Sequence, residues 1–154
     1  LNYKRDYCIE DLNGNRLIIG SSEWVIMHSE KRRLISDPDL YNFKDGFHDE
    51  TMFEGKLGKV HDFESVGEPY VVNAGFCELD VNNHVNNTKY ANFVLDAINP
   101  TKDFELESFQ IDYRKEVKQG TQLNIYYSQQ DKTISAKGQN NDGDIMFACL
   151  ITLK

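Results

Sequence analysis

Asp80-Val81-Asn82-Asn83-His84-Val85-Asn86-Asn87-Thr88-Lys89-Tyr90 decides how the chain is read. An acid, an amide and an imidazole occupy alternate positions, two more amides follow, and an aromatic closes the stretch. Asn and Asp alone would mark a loop, because they bond their own backbone and tolerate positive φ. The imidazole changes that reading, since histidine is the side chain whose ordinary titration lies nearest neutrality. Positions 80, 82 and 84 share one face if the backbone there is extended. Beyond them, Tyr90, Phe93, Val94, Ala97 and Ile98 recur at the spacing of one helical stripe. Asn86 or Asn87 is the natural N-cap, and Asn99-Pro100 the stop. The start of that helix brings free N–H groups and a positive dipole end beside the acid and the imidazole, a setting that favours developing negative charge.

Outward from this stretch the pattern is strand-like. Pro69 to Leu79 predicts one strand before it. Residues 104–116, 121–129, 131–138 and 144–153 predict four after the helix, with turns at Gly120 and Asn141-Asp142-Gly143. Towards the N-terminus, Tyr3–Glu10 and Leu17–Met27 predict a hairpin around Asp11-Leu12-Asn13-Gly14-Asn15. Residues 28–67 differ. They contain Asp37-Pro38-Asp39, Gly46, Gly55, Gly58, Gly67 and many charges, which is linker chemistry with room for a short helical turn. So long a loop inside one domain is uncommon, and a domain boundary is the simpler account. The run Asn13-Gly14-Asn15 into Leu17-Ile18-Ile19 echoes Asp142-Gly143-Asp144 into Ile145-Met146-Phe147, a repeat at domain-length separation.

The 154 residues suffice for about one domain with a real core. Seventeen basic and 25 acidic residues leave a net charge of −8, which argues against nucleic acid and against an anionic membrane surface as partners. No apolar run approaches the roughly 20 residues of a membrane helix. Cys8, Cys77 and Cys149 are far apart, and His28, His48, His61 and His84 follow no zinc-ligand spacing, so neither a metal nor another cofactor is expected. A reducing cytoplasm fits unpaired cysteines best. Cys77, in an apolar run, reads as a small core residue, Trp24 as packing on its own sheet, and His28, His48 and His61 as solvent-facing. Asn86-Asn87-Thr88 is formally a glycosylation acceptor, but here it precedes a helix. The chain begins at Leu1, directly in a strand-like pattern, and reads as a fragment or a processed product.

Asp80-x-Asn82-x-His84-x-Asn86-Asn87-x-x-Tyr90 resembles the signature of hot-dog-fold acyl thioesterases. Tyr113-Arg114-Lys115-Glu116 resembles a second block of the acyl-ACP thioesterase family, whose members carry two hot-dog domains in tandem. Tyr3-Lys4-Arg5-Asp6, Asn13-Gly14 and Trp24-Val25 look like the closing strands of that family's first domain. The resemblance implies an α+β architecture in which an antiparallel sheet wraps a central helix. Residues 1–30 would be terminal strands of a truncated first hot-dog, 31–67 a linker, and 68–154 a complete second hot-dog. It also implies hydrolysis of fatty acyl-[acyl carrier protein], with acyl carrier protein as partner.

Thioester hydrolysis needs an activated water or a nucleophile, and stabilisation of an oxyanion. Asp80, Asn82 and His84 supply the residue types. By resemblance Glu116 joins them, Asp80 is nucleophile or direct base, Asn82 and His84 orient it or polarise the carbonyl, and Glu116 with His84 prepares water. Asn86, Asn87 and Tyr90 are candidate substrate-binding residues, although Tyr90 also reads as helix-to-sheet packing. Plant members follow the Glu with a cysteine. Val117 stands there in this chain, which removes a cysteine mechanism at that position. Lys31-Arg32-Arg33 and Arg114-Lys115 with Lys118 are the local basic clusters available to an acidic carrier. The rival readings are a single hot-dog acyl-CoA thioesterase acting as a homodimer, and a non-catalytic acyl-binding hot-dog.

Overall fold

The computed structural model describes residues 3–31, 33–35 and 50–154. Arg32, Asp37-Pro38-Asp39, Gly46 and His48 of the sequence reading lie outside the described residues. Two compact units divide the chain, Leu1–Gly58 and Lys59–Lys154.

In the first unit, β1 (Tyr3–Glu10) and β2 (Arg16–Trp24) form an antiparallel ribbon with Tyr3 opposite Trp24 and Cys8 opposite Ile19. The turn is built by Asp11. Its carboxylate accepts the N–H groups of Asn13 and Asn15 and the Asn15 amide, and Gly14 takes the left-handed φ of 83° that the tight reversal demands. β2 ends at Trp24, three residues short of the expected Met27. Met27 instead bridges Leu34 across a small reversal. There His28 is half-buried rather than solvent-facing, and its Nδ1 accepts the N–H groups of Glu30 and Lys31. Trp24 packs on its own ribbon, with the Arg5 guanidinium 5.3 Å from its ring centroid. No helical turn occurs among the described residues of 28–67.

The second unit holds β3 (Tyr70–Asn73), α1 (Asn87–Ile98), β4 (Leu106–Tyr113), β5 (Gln122–Gln130), β6 (Thr133–Gln139) and β7 (Ile145–Leu153). The five strands form one antiparallel sheet in the order β3-β5-β6-β7-β4. Leu123, Ile125, Ile134, Ala136, Phe147, Cys149 and Ile151 present one face, and the α1 stripe Tyr90, Phe93 and Val94 is buried against it. The sheet wraps a single helix, which is the hot-dog arrangement. Asn86 caps α1, accepting the Thr88 N–H at 3.0 Å, and Asn99 ends it with a φ of 49° in front of Pro100.

Gly138 shows how closely the core is fitted. A Cβ there would stand 2.2 Å from the Phe147 ring, so the ring occupies the space a side chain would need.

In this unit two strand boundaries and the placement of Cys77 differ from the sequence reading. The strand expected over 69–79 stops at Asn73, and Phe76–Glu78 forms a 3-10 turn. The Glu78 carboxylate accepts the Gly75 N–H at 2.8 Å, and the Glu78 and Leu79 N–H groups bond back to Gly75 and Phe76, which curls the chain out of the sheet. Cys77 rides on that turn and is exposed, not a core residue. The strand expected over 104–116 ends at Tyr113, because the N–H groups of Arg114 and Lys115 both go to the Met146 carbonyl and the ladder register is lost.

Candidate active site

Asp80 to Asn86 is a tight loop stitched on both sides. Asp80 N–H donates to the His84 carbonyl at 2.8 Å and Asn83 N–H to the Asp80 carbonyl at 3.1 Å, with Asn83 at a φ of 59°. Leu79 bridges Val85, and Asn86 N–H donates to the Glu78 carbonyl. On the other side His84 bridges Lys118, and Val85 N–H donates to the Val117 carbonyl at 2.8 Å. The backbone between 80 and 84 is therefore folded back, not extended. Positions 80, 82 and 84 meet through this reversal, where the sequence had suggested alternation along a strand.

Within the loop the Asp80 carboxylate is the organising acceptor. Oδ1 takes the N–H of Asn82 at 2.8 Å and of His84 at 3.2 Å, and Oδ2 faces the Asn82 amide nitrogen at 3.4 Å. Partial desolvation pushes the Asp80 carboxyl up. The N–H groups of Asn82 and His84, the Asn82 amide and the nearby imidazole outweigh it together and hold the group below the usual carboxylate range. The stitching between 84–85 and 117–118 brings the second block alongside, so that His84 Nε2 lies 3.3 Å from Glu116 Oε2. The imidazole is about one-fifth exposed and the carboxylate about two-fifths.

A cavity of about 270 Å³ is lined by Asp80, Asn82, His84 and Glu116 together with Val85, Asn87, Tyr90, Tyr113, Arg114 and Lys115. It is small beside the roughly 300–1,000 Å³ of drug-sized ligand clefts, and fits a reacting head group better than a long chain. Asn87 opens α1 at its rim, whereas Asn86 is occupied as the N-cap. Tyr90 is buried, edge-on to Phe147 at 5.0 Å and to Tyr113 at 5.4 Å. Burial pushes its phenol up to about 12, with the charges of Glu116 and Asp80 acting in the same direction, so it remains protonated. That is a packing wall rather than an acid–base group.

Tyr113 was outside the sequence-derived site set. Its hydroxyl donates to the Asn87 carbonyl at 3.0 Å and ties β4 to the first turn of α1. Its place in the run Tyr113-Arg114-Lys115-Glu116 was the available signal. Of the nearby basic cluster, Arg114 donates to the Val60 carbonyl and Lys115 pairs with Asp144 at 2.8 Å, while Lys118 is exposed. Val117 is fully buried. Among the described residues no three His, Cys, Asp or Glu side chains converge as metal ligands would, and no helix is long and apolar enough to cross a membrane.

Residues 64–150 match the family model of the acyl-ACP thioesterase C-terminal domain. The chloroplastic acyl-[acyl-carrier-protein] hydrolase FATB2 of Cuphea viscosissima is 32% identical over 122 residues, covering 73% of this chain and 30% of that protein. The palmitoyl-acyl carrier protein thioesterase of Cuphea hookeriana is 33% identical over 122 residues, covering 73% and 29%. An acyl-ACP thioesterase structure from Bacteroides thetaiotaomicron superposes with a TM-score of 0.87 at 17% identity, covering 100% of this chain and 63% of that one. The 12:0-ACP thioesterase of Umbellularia californica gives 0.82 at 22%, covering 98% and 60%. At those identities the structural likeness speaks for the fold. The chain spans about a third of the length of the curated relatives it matches.

Proposed function

This chain belongs to the acyl-ACP thioesterase family, and from that premise we propose that it carries the hydrolytic centre of an enzyme cleaving fatty acyl-[acyl carrier protein] to free fatty acid and carrier, in fatty acid biosynthesis. The observation that carries the reading is the meeting of Asp80, Asn82, His84 and Glu116 on one cavity beside the start of α1.

In the proposed reaction the thioester carbonyl sits in that cavity. The Asp80 carboxyl is held below the usual carboxylate range, so the group is anionic at neutral pH and available for attack. Its Oδ1 is engaged by two backbone N–H groups, and Oδ2 is the freer oxygen. We therefore assign it nucleophilic attack through Oδ2. A C–O bond forms, the C–S bond breaks, and the thiolate leaves to take up a proton from solvent. His84, set by Glu116, then accepts a proton from water as that water hydrolyses the mixed anhydride and frees the Asp80 carboxylate. Asn82 and the positive end of α1, which Asn87 opens at the cavity, favour the negative charge that builds on the carbonyl oxygen.

The rest of the proposal concerns setting. Residues 1–30 are read as terminal strands of a preceding hot-dog. A two-stranded ribbon is marginal by itself, and Tyr7, Ile9, Leu17 and Ile18 are exposed on it. The three free cysteines support a reducing compartment, the cytoplasm.

The test is turnover of acyl carrier protein and acyl-CoA substrates by the longest natural polypeptide that contains this sequence, with rapid-quench mass spectrometry of the Asp80 peptide. Preference for the carrier substrate and an acyl adduct on Asp80 are expected. Undiminished hydrolysis by Asp80→Asn overturns the proposed site.

A further inference from the structure

On the face of the sheet away from α1, Asp112 of β4 stands opposite Ala148 of β7, and Ala148 opposite Lys137 of β6. The neighbouring row, Ile111, Cys149 and Ala136, belongs to the core side. A lysine on an uncovered outer row would be solvated, yet Lys137 is 4% exposed. Residues 60–63 cover it. The buried Val60 donates its N–H to Asp112 Oδ2 at 2.7 Å, and its carbonyl accepts from the Arg114 guanidinium at 2.8 Å. The Lys137 ammonium donates to Asp62 at 2.7 Å and to the Phe63 carbonyl, and lies 4.8 Å from the Phe63 ring centroid. The hydrogen bond from Lys137 holds the Asp62 carboxyl below its ordinary range, with the Arg114 charge adding to it. These contacts fasten an irregular segment as a strap across β4, β7 and β6. Lys137 is buried but Asp62 is about half exposed, so the pair adds little stability and serves instead to hold the segment over the sheet.

The strap ends on the residue two before Glu116. Around that glutamate the main chain is pinned on both sides. Arg114 and Lys115 N–H groups bond to Met146, and the Val117 carbonyl takes the Val85 N–H. Two side chains before Glu116 add tethers, Lys115 to Asp144 at 2.8 Å and Arg114 to the Val60 carbonyl, and of the two the Arg114 contact is the one made by the strap. We infer that Arg114 is a positioning residue, held by the Val60–Phe63 strap, that sets Glu116 against His84 from the opposite face of the sheet. The inference rests on the catalytic reading of Glu116 proposed above. A misplacement of about an ångström at a reacting group costs on the order of a hundredfold in rate.

The experiment is a double-mutant cycle in the same natural polypeptide. Arg114→Ala lowers kcat by up to about a hundredfold with KM nearly unchanged. Arg114→Lys, which still offers a donor to the Val60 carbonyl, recovers most of the loss. In a Glu116→Gln background Arg114→Ala costs nothing further, because the group it positions is already gone. Lys137→Met, which loosens the strap without touching β4, gives the same pattern at smaller size and stands in if Arg114→Ala does not fold. Amide exchange over 114–118 rises in both variants while β5 stays protected, a readout independent of turnover. Losses that add in the two backgrounds, or unchanged exchange over 114–118, overturn the strap's role and leave Glu116 catalytic. A Glu116→Gln enzyme as active as its parent overturns the proposed site instead.

Discussion

His84 Nε2 and Glu116 Oε2 stand 3.3 Å apart although one lies on the loop before α1 and the other beyond the end of β4. The bridge between His84 and Lys118 and the bond from Val85 N–H to the Val117 carbonyl bring them together. Removing the Glu116 charge while keeping its shape therefore isolates its part in the chemistry. Glu116→Gln is expected to lower kcat by about 100- to 10,000-fold, the range of a positioned acid–base group. Gln keeps the shape of the half-exposed side chain, so the unfolding free energy from urea titration is expected to stay within about 0.5 kcal/mol of the parent.

Asp80 links the loop to acidity. Its folded-state carboxyl is held below its unfolded value. The stabilisation it brings is therefore complete above the unfolded value and lost as pH falls through the folded one. Urea unfolding of the parent and Asp80→Asn at neutral and acidic pH checks this. The midpoint gap is expected to be widest at neutral pH and to close at the acid end. A gap that widens on acidification contradicts the assignment.

Gly138 and Phe147 make a pair that one substitution tests. Gly138→Ala forces a methyl against the ring, and overpacking of this kind costs about 1–3 kcal/mol. Phe147 supports Tyr90 edge-on at the cavity wall, so activity is expected to fall with stability. Adding Phe147→Leu to Gly138→Ala relieves the clash and is expected to recover part of the denaturation midpoint.

Tyr90 separates packing from proton transfer. With its phenol pushed up to about 12 it carries no charge at working pH. Tyr90→Phe is expected to keep kcat within a fewfold. Tyr90→Ala, which empties the core beside Phe93 and Phe147, is expected to cost about 3–5 kcal/mol. Kinetics and thermal denaturation of the two variants decide it.

Asn86 holds the helix start on which the proposed oxyanion site depends. Asn86→Ala removes the cap and is expected to cost about 1 kcal/mol, whereas Asn86→Asp keeps an acceptor and costs less. Denaturation of both variants provides the comparison.

The sequence reading succeeded where the signal is local. The stripe from Tyr90 to Ile98, a cap at Asn86 or Asn87 and the stop at Asn99 each follow from spacing and from one side chain acting on its own backbone, and the structure puts the cap on Asn86. It failed at 69–79 because the apolar run looks continuous, and only the Glu78 carboxylate reaching the Gly75 N–H breaks it. Cys77 was misread with it, since its exposure follows from that turn. Asp80, Asn82 and His84 were legible as a set, but the way they meet was not. Alternation predicts one face of a strand, whereas Asn83 at positive φ reverses the chain.

The order of strands and helix, the helix boundaries and the residue types of the candidate site were determined by the sequence alone, because periodicity, capping and side-chain chemistry act within a few residues of one another. Tertiary structure decided how Glu116 comes to face His84, a pairing that the family resemblance had implied, and it alone decided that Tyr113 would tie down Asn87 and that Lys137 would be buried under Val60–Phe63. Those contacts join residues far apart in the chain. Their free energy depends on the register of β4, β6 and β7, which is settled only when the sheet closes around α1.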